Sequence, residues 1–123
     1  MEINIKIKNM PQVMAALKQS PVIVGKHINK AIKESIFDIE RKAKPLTPVD
    51  TGRLRGSYDT RFGTLYGEVT PTAEYAIYVH EGTRYMTGRP FLSKGVKQAM
   101  SQINKNFEKG LEGALNEIAR KAR

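Results

Sequence analysis

Residues 91–122 read FLSKGVKQAMSQINKNFEKGLEGALNEIARKA, and the steps between their apolar side chains decide the fold. Val96, Met100 (or Ala99), Ile103, Phe107, Leu111, Leu115, Ile118 and Ala122 follow one another at three or four residues throughout. That spacing puts them on one stripe of an α-helix. Arg89-Pro90 opens it, because proline is tolerated where a helix has no N–H to lose. Unbroken, the helix is about 48 Å long at 1.5 Å per residue. Gly95, Gly110 and Gly113 each cost about 1 kcal/mol relative to alanine, which leaves room for a bend near 110–113. A helix of this length overhangs a small domain. Its far end, with Leu111, Leu115 and Ile118, is expected to pack on another subunit.

Working toward the N-terminus, Tyr75, Ile77 and Val79 alternate with Ala76 and Tyr78 and predict a strand over 75–80. Before it, Ser57–Phe62 and Thr64–Thr70 predict a hairpin with Gly63 in its turn and Pro71 as its stop. Ile28, Ile32, Ile36, Ile39 and Ala43 form a second helical stripe opposite Lys26, Lys30, Lys33 and Arg41. Ser20-Pro21 supplies its cap and first residue, and Pro45 ends it, since a residue before proline resists helical geometry. Val13, Met14 and Leu17 fall on one side of a short helical turn over 10–18. Ile3, Ile5 and Ile7 alternate with polar residues and predict a strand over 2–8. The expected class is therefore α+β, one domain over 1–123. A small, mostly antiparallel sheet from 2–8, 57–62, 64–70 and 75–80 packs against helices 21–44 and 91–122, the C-terminal one long.

The chain has 123 residues, a net charge of +9 and no cysteine. Disulfides, thiolate metal sites and cysteine nucleophiles are excluded, and a cysteine-free chain suits the cytoplasm. The positive balance favours nucleic acid, an anionic surface or an acidic partner without choosing among them. The charge is spread along the chain with no run of five like residues, which argues against a disordered basic tail. No stretch approaches the roughly 20 apolar residues of a membrane span, and the N-terminus does not read as a signal peptide.

Two turn-rich blocks interrupt this framework. The first runs Thr47-Pro48-Val49-Asp50-Thr51-Gly52-Arg53-Leu54-Arg55-Gly56-Ser57. The second runs Tyr75-Ala76-Ile77-Tyr78-Val79-His80-Glu81-Gly82-Thr83-Arg84-Tyr85-Met86-Thr87-Gly88-Arg89-Pro90-Phe91-Leu92. Charged and aromatic residues beside backbone breakers mark loops that bind or assemble. Asp50-Thr51-Gly52 spells the aspartic-protease triplet, and a homodimer would supply a second aspartate. Its surroundings are wrong, however: Pro48-Val49 precede it and Arg53-Leu54-Arg55 follow. A capped turn over Gly52–Arg55, with Asp50 or Thr51 as acceptor, is the simpler account. His80-Glu81 lacks the second histidine of a zinc protease, since position 84 is Arg. His27 and His80 are expected to be surface or half-buried residues rather than metal ligands. Ser57, Ser93 and Ser101 have no histidine or acid at a spacing that marks a triad. Arg53, Arg55 and Arg61 near Tyr58 and Phe62, and Arg84 and Arg89 near Tyr85 and Phe91, suit phosphate contact or a protein interface equally.

Together and in order, the two blocks resemble the gene-product-ten-like family of tailed bacteriophages and prophages. The loop of that family reads like P-V-D-T-G-R-L-R-x-S, its strand and exit like Y-A-x-Y-V-E-x-G-T, and its last helix opens on R-P-F. The similarity covers about residues 20–122. It implies a tail-completion, neck or head–tail joining protein in the virion, assembled in the bacterial cytoplasm, with a small α+β fold. It implies a ring, usually of six copies, in contact with head-connector and tail-terminator or tail-tube proteins. It implies no enzymatic activity, cofactor, metal, membrane or small-molecule substrate, and allows non-specific contact with DNA in the channel.

On that basis Arg53, Arg55, Glu81, Arg84, Tyr85 and Arg89 are expected at loop-mediated interfaces. Asp50 and Gly52 set the first loop, and Gly82 lies in the exit from the strand. Phe91 and Leu92 anchor the last helix to the sheet. The two blocks are expected at the two ends of one small sheet. The competing accounts are a basic non-specific DNA-binding module and a dimeric aspartic protease.

Overall fold

The long apolar stripes become two antiparallel helices that touch through glycine and alanine. In the computed structural model, which describes residues 3–49 and 52–122, the chain runs α1 (Met10–Gln19), α2 (Pro21–Ala43) and a 3-10 turn (Lys44–Leu46). A second 3-10 turn (Arg55–Ser57), β1 (Tyr58–Gly63), β2 (Tyr66–Pro71) and α3 (Ala76–Glu81) follow. Then come β3 (Gly82–Thr83), β4 (Met86–Thr87) and α4 (Phe91–Lys121). Gly95 faces Ala43, Gly110 faces Ala31 and Ile28, and Gly113 faces His27, so α4 runs back along α2. A Cβ on Gly95 would stand 2.6 Å from that of Ala43. The three glycines are thus contact points between the helices, in a helix that stays continuous from Phe91 to Lys121. Val24, Ile28, Ala31, Ile39 and Ala43 meet Phe91, Val96, Ala99, Ile103, Phe107 and Ala114 in the core, and Val13 of α1 joins them.

The far end of α4 folds back onto its own chain more than its length implies. At 1.5 Å per residue α4 is about 47 Å long and α2 about 35 Å. Ala114 and Glu117 are buried there, while Leu111 and Ile118 are partly buried against the core. Leu115, placed on the stripe by its spacing, is 50% exposed. The buried face near this end passes through small residues that a search for large apolar ones skips.

The β1–β2 hairpin lies across α2. Its register runs from Tyr58 opposite Pro71 to Gly63 opposite Tyr66, so Thr64-Leu65 form the turn and Gly63 ends the strand. Leu65 takes φ 54°, and its N–H donates to Asn29 Oδ1 of α2 at 2.6 Å. Gly67 lets the hairpin settle on α2, since a Cβ there would stand 2.8 Å from Ile32 Cγ2 and 2.9 Å from Ile36 Cγ1.

The α+β class and both long helices follow the sequence; the single sheet does not. The strands form two separate antiparallel pairs, β1–β2 and β3–β4. Residues 3–7 are extended, with Ile3, Ile5 and Ile7 half-buried and Asn4 and Lys6 exposed, but they belong to no strand. They lie over a seam lined by Ile36 and Ile39 of α2, Val69 of β2 and Val96 of α4. Lys8 N–H on Asn104 Oδ1 at 3.0 Å and Asn9 Nδ2 on the Phe107 carbonyl at 3.3 Å fasten the end of this segment to α4.

Residues 76–81 form a helix instead of a strand. Over six residues, alternation cannot be separated from helical spacing. What decides is that Ala76 and His80, four apart, are the buried pair, while Ile77 and Tyr78 are 45% and 59% exposed. Two smaller corrections concern the ends of helices. Ser20 makes no side-chain cap, although Pro21 does take the first turn. Lys44, before Pro45, is helical at φ −55° and ψ −49°, so α2 tightens into the 3-10 turn rather than stopping there. In α1, Val13 is buried and Leu17 half-buried, but Met14 is 50% exposed.

Candidate functional site

The two turn-rich blocks meet at one groove. Pro48, Gly52 and Leu54 from the first block and Tyr75, Val79, Met86, Thr87 and Arg89 from the second line a cleft of about 490 Å³. The expectation that they sit at opposite ends of one sheet is therefore wrong. The strand expected over 75–80 is α3, which opens the second block beside the first.

The first block is held at both flanks. Thr47 is buried, and its hydroxyl donates to the Ala43 carbonyl at 2.8 Å. That leaves the Tyr58 hydroxyl to donate to Thr47 Oγ1, also at 2.8 Å. Burial pushes the Tyr58 hydroxyl up from its usual pKa, against the opposing effect of the Thr47 bond. Gly52 takes φ 81°, the left-handed region that favours glycine. Gly56 N–H donates to the Gly52 carbonyl at 2.9 Å, closing a turn that buries Leu54. Arg53 reaches Glu74 at 2.6 Å and lies 5.2 Å from the centre of the Tyr75 ring, tying the first block to the start of the second. That hydrogen bond holds the Glu74 carboxyl below its ordinary range. Arg55 is exposed and its guanidinium reaches the Thr47 carbonyl at 3.4 Å. Asp50 and Thr51, the rest of the protease triplet and the expected cap, lie outside the described residues.

The second block is a hairpin pinched by two glycines. Gly82 has φ 87°, and a Cβ on it would stand 2.5 Å from Gly88 N. A Cβ on Gly88 would stand 2.6 Å from the Glu81 carbonyl carbon. No other residue fits that approach. The β3–β4 arm pairs Gly82 with Thr87 and Thr83 with Met86, and Arg89 N–H returns to the Val79 carbonyl at 2.8 Å. The tip carries Arg84, 5.2 Å from the Tyr85 ring centre, and Tyr85 itself is 87% exposed. Among the described residues no carboxylate pairs with Arg84 or Arg89. The groove lining is mostly apolar with Arg89 in it, and the hairpin tip that continues from Met86 is basic and aromatic.

Phe91 and Leu92 are both buried. Leu92 lies near Gly67 and Val69 of β2, as an anchor to the sheet would. Phe91 instead meets the edge of His80 in α3, with ring centres 5.2 Å apart at 85°. His80 is the residue the sequence misjudged: its side chain is only 4% exposed. Its Nδ1 bonds Glu81 Oε1 at 2.7 Å, and its Nε2 faces Ser93 Oγ at 3.3 Å and Ser93 N at 3.4 Å. Serine, histidine and glutamate thus stand in line across a spacing of 13 residues. The geometry fits a helix cap. Nε2 accepts from the backbone N–H of the third residue of α4, which places the ring proton on Nδ1 toward Glu81. His80 and Ser93 do not line the groove, so the arrangement presents no nucleophile to a substrate there.

A second polar cluster joins the helix ends. Glu117, largely buried on α4, accepts from Lys26 Nζ at 2.7 Å and His27 Nε2 at 3.1 Å, with Lys121 Nζ at 3.5 Å. The Lys26 and His27 hydrogen bonds hold its carboxyl down to about 2. Deeper in the seam, Asn106 Nδ2 donates to Asp38 Oδ2 at 2.9 Å and Ser35 Oγ at 3.2 Å. These groups serve the helix contact. Among the described residues no three of His, Cys, Asp and Glu gather as a metal site, and no helix is long and apolar enough to cross a membrane.

Residues 10–82, more than half of the chain, match the HK97-gp10-like family, described as "Bacteriophage HK97-gp10, putative tail-component". The match runs from α1 to the first residue of β3, and so takes in the first block and the opening of the second. No curated protein and no solved structure matched the chain. The chain belongs to the HK97-gp10-like family of phage tail components.

Proposed function

We propose that this chain, folded as one domain over residues 1–123, is a non-enzymatic structural subunit of a phage or prophage virion. It forms a ring of six copies at the head-proximal end of the tail and takes part in tail completion and head–tail joining. Head-connector and tail-terminator or tail-tube proteins are its neighbours. The observation that carries this reading is the convergence of both motif blocks on one groove, with an apolar floor and, beside it, Arg84 and Arg89, which form no ion pair among the described residues. Residues held so exposed stabilise little within one subunit and suit a contact between subunits. Particles made without this protein should show separate heads and tails, or joined particles that fail to deliver DNA. Normal infectious particles lacking it would end the proposal.

A second reading has its own observation. Lys26, Lys30, Lys33 and Arg41 form an exposed basic stripe on α2, which suits contact with DNA phosphates in the channel. The isolated subunit should then bind duplex DNA with an affinity that falls steeply with salt. Absent or salt-independent binding removes this reading and leaves the first standing.

A further inference from the structure

Resting on the ring reading, we infer that the groove receives the C-terminal half of α4 from a second copy of this chain, with Glu108, Glu112 and Leu115 as the contacting ridge. Helical spacing puts these three on one exposed stripe, four and three residues apart. Leu115 is 50% exposed on a helix whose other face is buried. Among the described residues no cation forms an ion pair with Glu108 or Glu112. Lys109 is displaced from the stripe toward α2, where it lines a cleft with His27 and Lys30; Lys105 precedes Glu108 by one turn. The ridge is therefore acidic with an apolar knob, and the groove is mostly apolar with Arg89 in its lining and Arg84 in the hairpin tip two residues before Met86.

The two surfaces cannot meet within one subunit. Leu115 lies about 36 Å along α4 from Phe91, which follows the rim residue Arg89, at 1.5 Å per residue. Each copy thus carries a socket near one end of α4 and a matching ridge toward the other. Such a head-to-tail contact uses different patches on the two partners, and a rotation that closes it gives a ring. Arginine forks on carboxylates supply the register, and Leu115 fills apolar space beside Leu54, Val79 and Met86.

The chain has no cysteine, so engineered thiols report cleanly. Purified Thr87→Cys/Leu115→Cys protein, oxidised at high concentration, should give a ladder of disulfide-linked oligomers. Each single variant should give dimers at most. No ladder from the double variant, or a single variant that oxidises to dimer as completely as the double variant cross-links, overturns the inference. Charge exchange gives an independent check. Arg84→Glu/Arg89→Glu and Glu108→Arg/Glu112→Arg should each abolish the oligomers seen by native mass spectrometry. An equimolar mixture should restore them in one-to-one composition, and all four changes in one chain should restore them alone. A mixture that stays monomeric overturns the pairing. If both charge variants instead lose incorporation into tails while the thiol pair never cross-links, the groove and ridge meet other tail proteins. The self-contact is then wrong, while the virion role survives. Loss of DNA binding alone in Arg84→Glu/Arg89→Glu makes the rim a phosphate contact and overturns the self-contact equally.

Discussion

Along the α2–α4 seam each glycine of α4 is a place where backbone meets the neighbouring helix, and the buried Ser35, Asp38, Asn106 and Glu117 are hydrogen-bonded. Around the groove the same chain leaves Arg84 and Arg89 without ion pairs among the described residues and sets Tyr85 almost wholly in solvent. The seam spends its small residues on approach; the rim spends its large ones on exposure. Two regions of one small protein are thus specified by opposite rules. A substitution at the seam should register in stability, and one at the rim should register in assembly.

The largest effect is expected at Gly95. Its missing Cβ already sets 2.6 Å against Ala43 Cβ and 2.7 Å against Ala43 Cα, so backbone has to move for any side chain to enter. Gly95→Val should destabilise by about 3 kcal/mol, the upper range for overpacking a filled interior. Thermal unfolding followed by circular dichroism should fall by at least about 10 °C for a domain of this size. An unchanged transition would mean that the helices are not held at this separation, and the contrast with the rim would lose its first term.

How much of this was legible follows from the same contrast. Period 3.6 sustained over several turns is unambiguous, so α2 and α4 could be read directly from Ile28 to Ala43 and from Val96 to Ala122. The glycines of α4 could not: in sequence, Gly95 and Gly113 look like weak points, and only the facing residues Ala43 and His27 turn them into contacts. Short segments failed for a different reason. Ile3, Ile5 and Ile7 do alternate in burial, but alternation says nothing about whether a neighbouring strand exists to pair with. Tyr75 to His80 satisfies two periods at once, and burial of Ala76 with His80 selects the helix. The groove was legible only as two separate motifs. Their meeting depends on α3, the element misread. His80 gave one signal that went unused: a histidine beside an acid, shortly before a helix whose first N–H groups need acceptors.

A subtler test sets one carboxylate from each region side by side. Glu117 in the seam has an ordinary carboxyl pKa of 4.5 lowered to about 2 by Lys26 and then His27. A lowered value means that the ionised form is favoured in the folded state. Its contribution is full above about 4.5 and is lost as the pH falls toward about 2. Glu117→Gln should therefore be less stable than the parent at neutral pH, with a shallower loss through that acid window, and the two curves should converge at its lower end. Glu74 at the rim is also lowered, by the hydrogen bond from Arg53, but both side chains are exposed. Solvent and salt screen such a pair, so Glu74→Gln should shift the curve less. Denaturant melts across the acid range measure both. Equal shifts from the two variants would erase the distinction between seam and rim.

The smallest effect on folding is expected at Tyr85, and there the contrast is most informative. The ring is 87% exposed. Its contacts are the Arg84 guanidinium and a backbone N–H held by Thr83 Oγ1 at 3.2 Å, and the latter does not need the ring. Tyr85→Ala should change stability by less than about 0.5 kcal/mol, the usual range for a surface position. An exposed tyrosine next to an arginine is nonetheless the residue pair that anchors protein contacts. If the rim is an interface, the same substitution should lower the yield of joined particles in a complementation assay while the purified protein melts as the parent does. A melt that drops with the yield would place Tyr85 among the seam residues. A yield that stays normal would leave the hairpin tip outside the contact and move the interface down to Arg89 and the apolar floor.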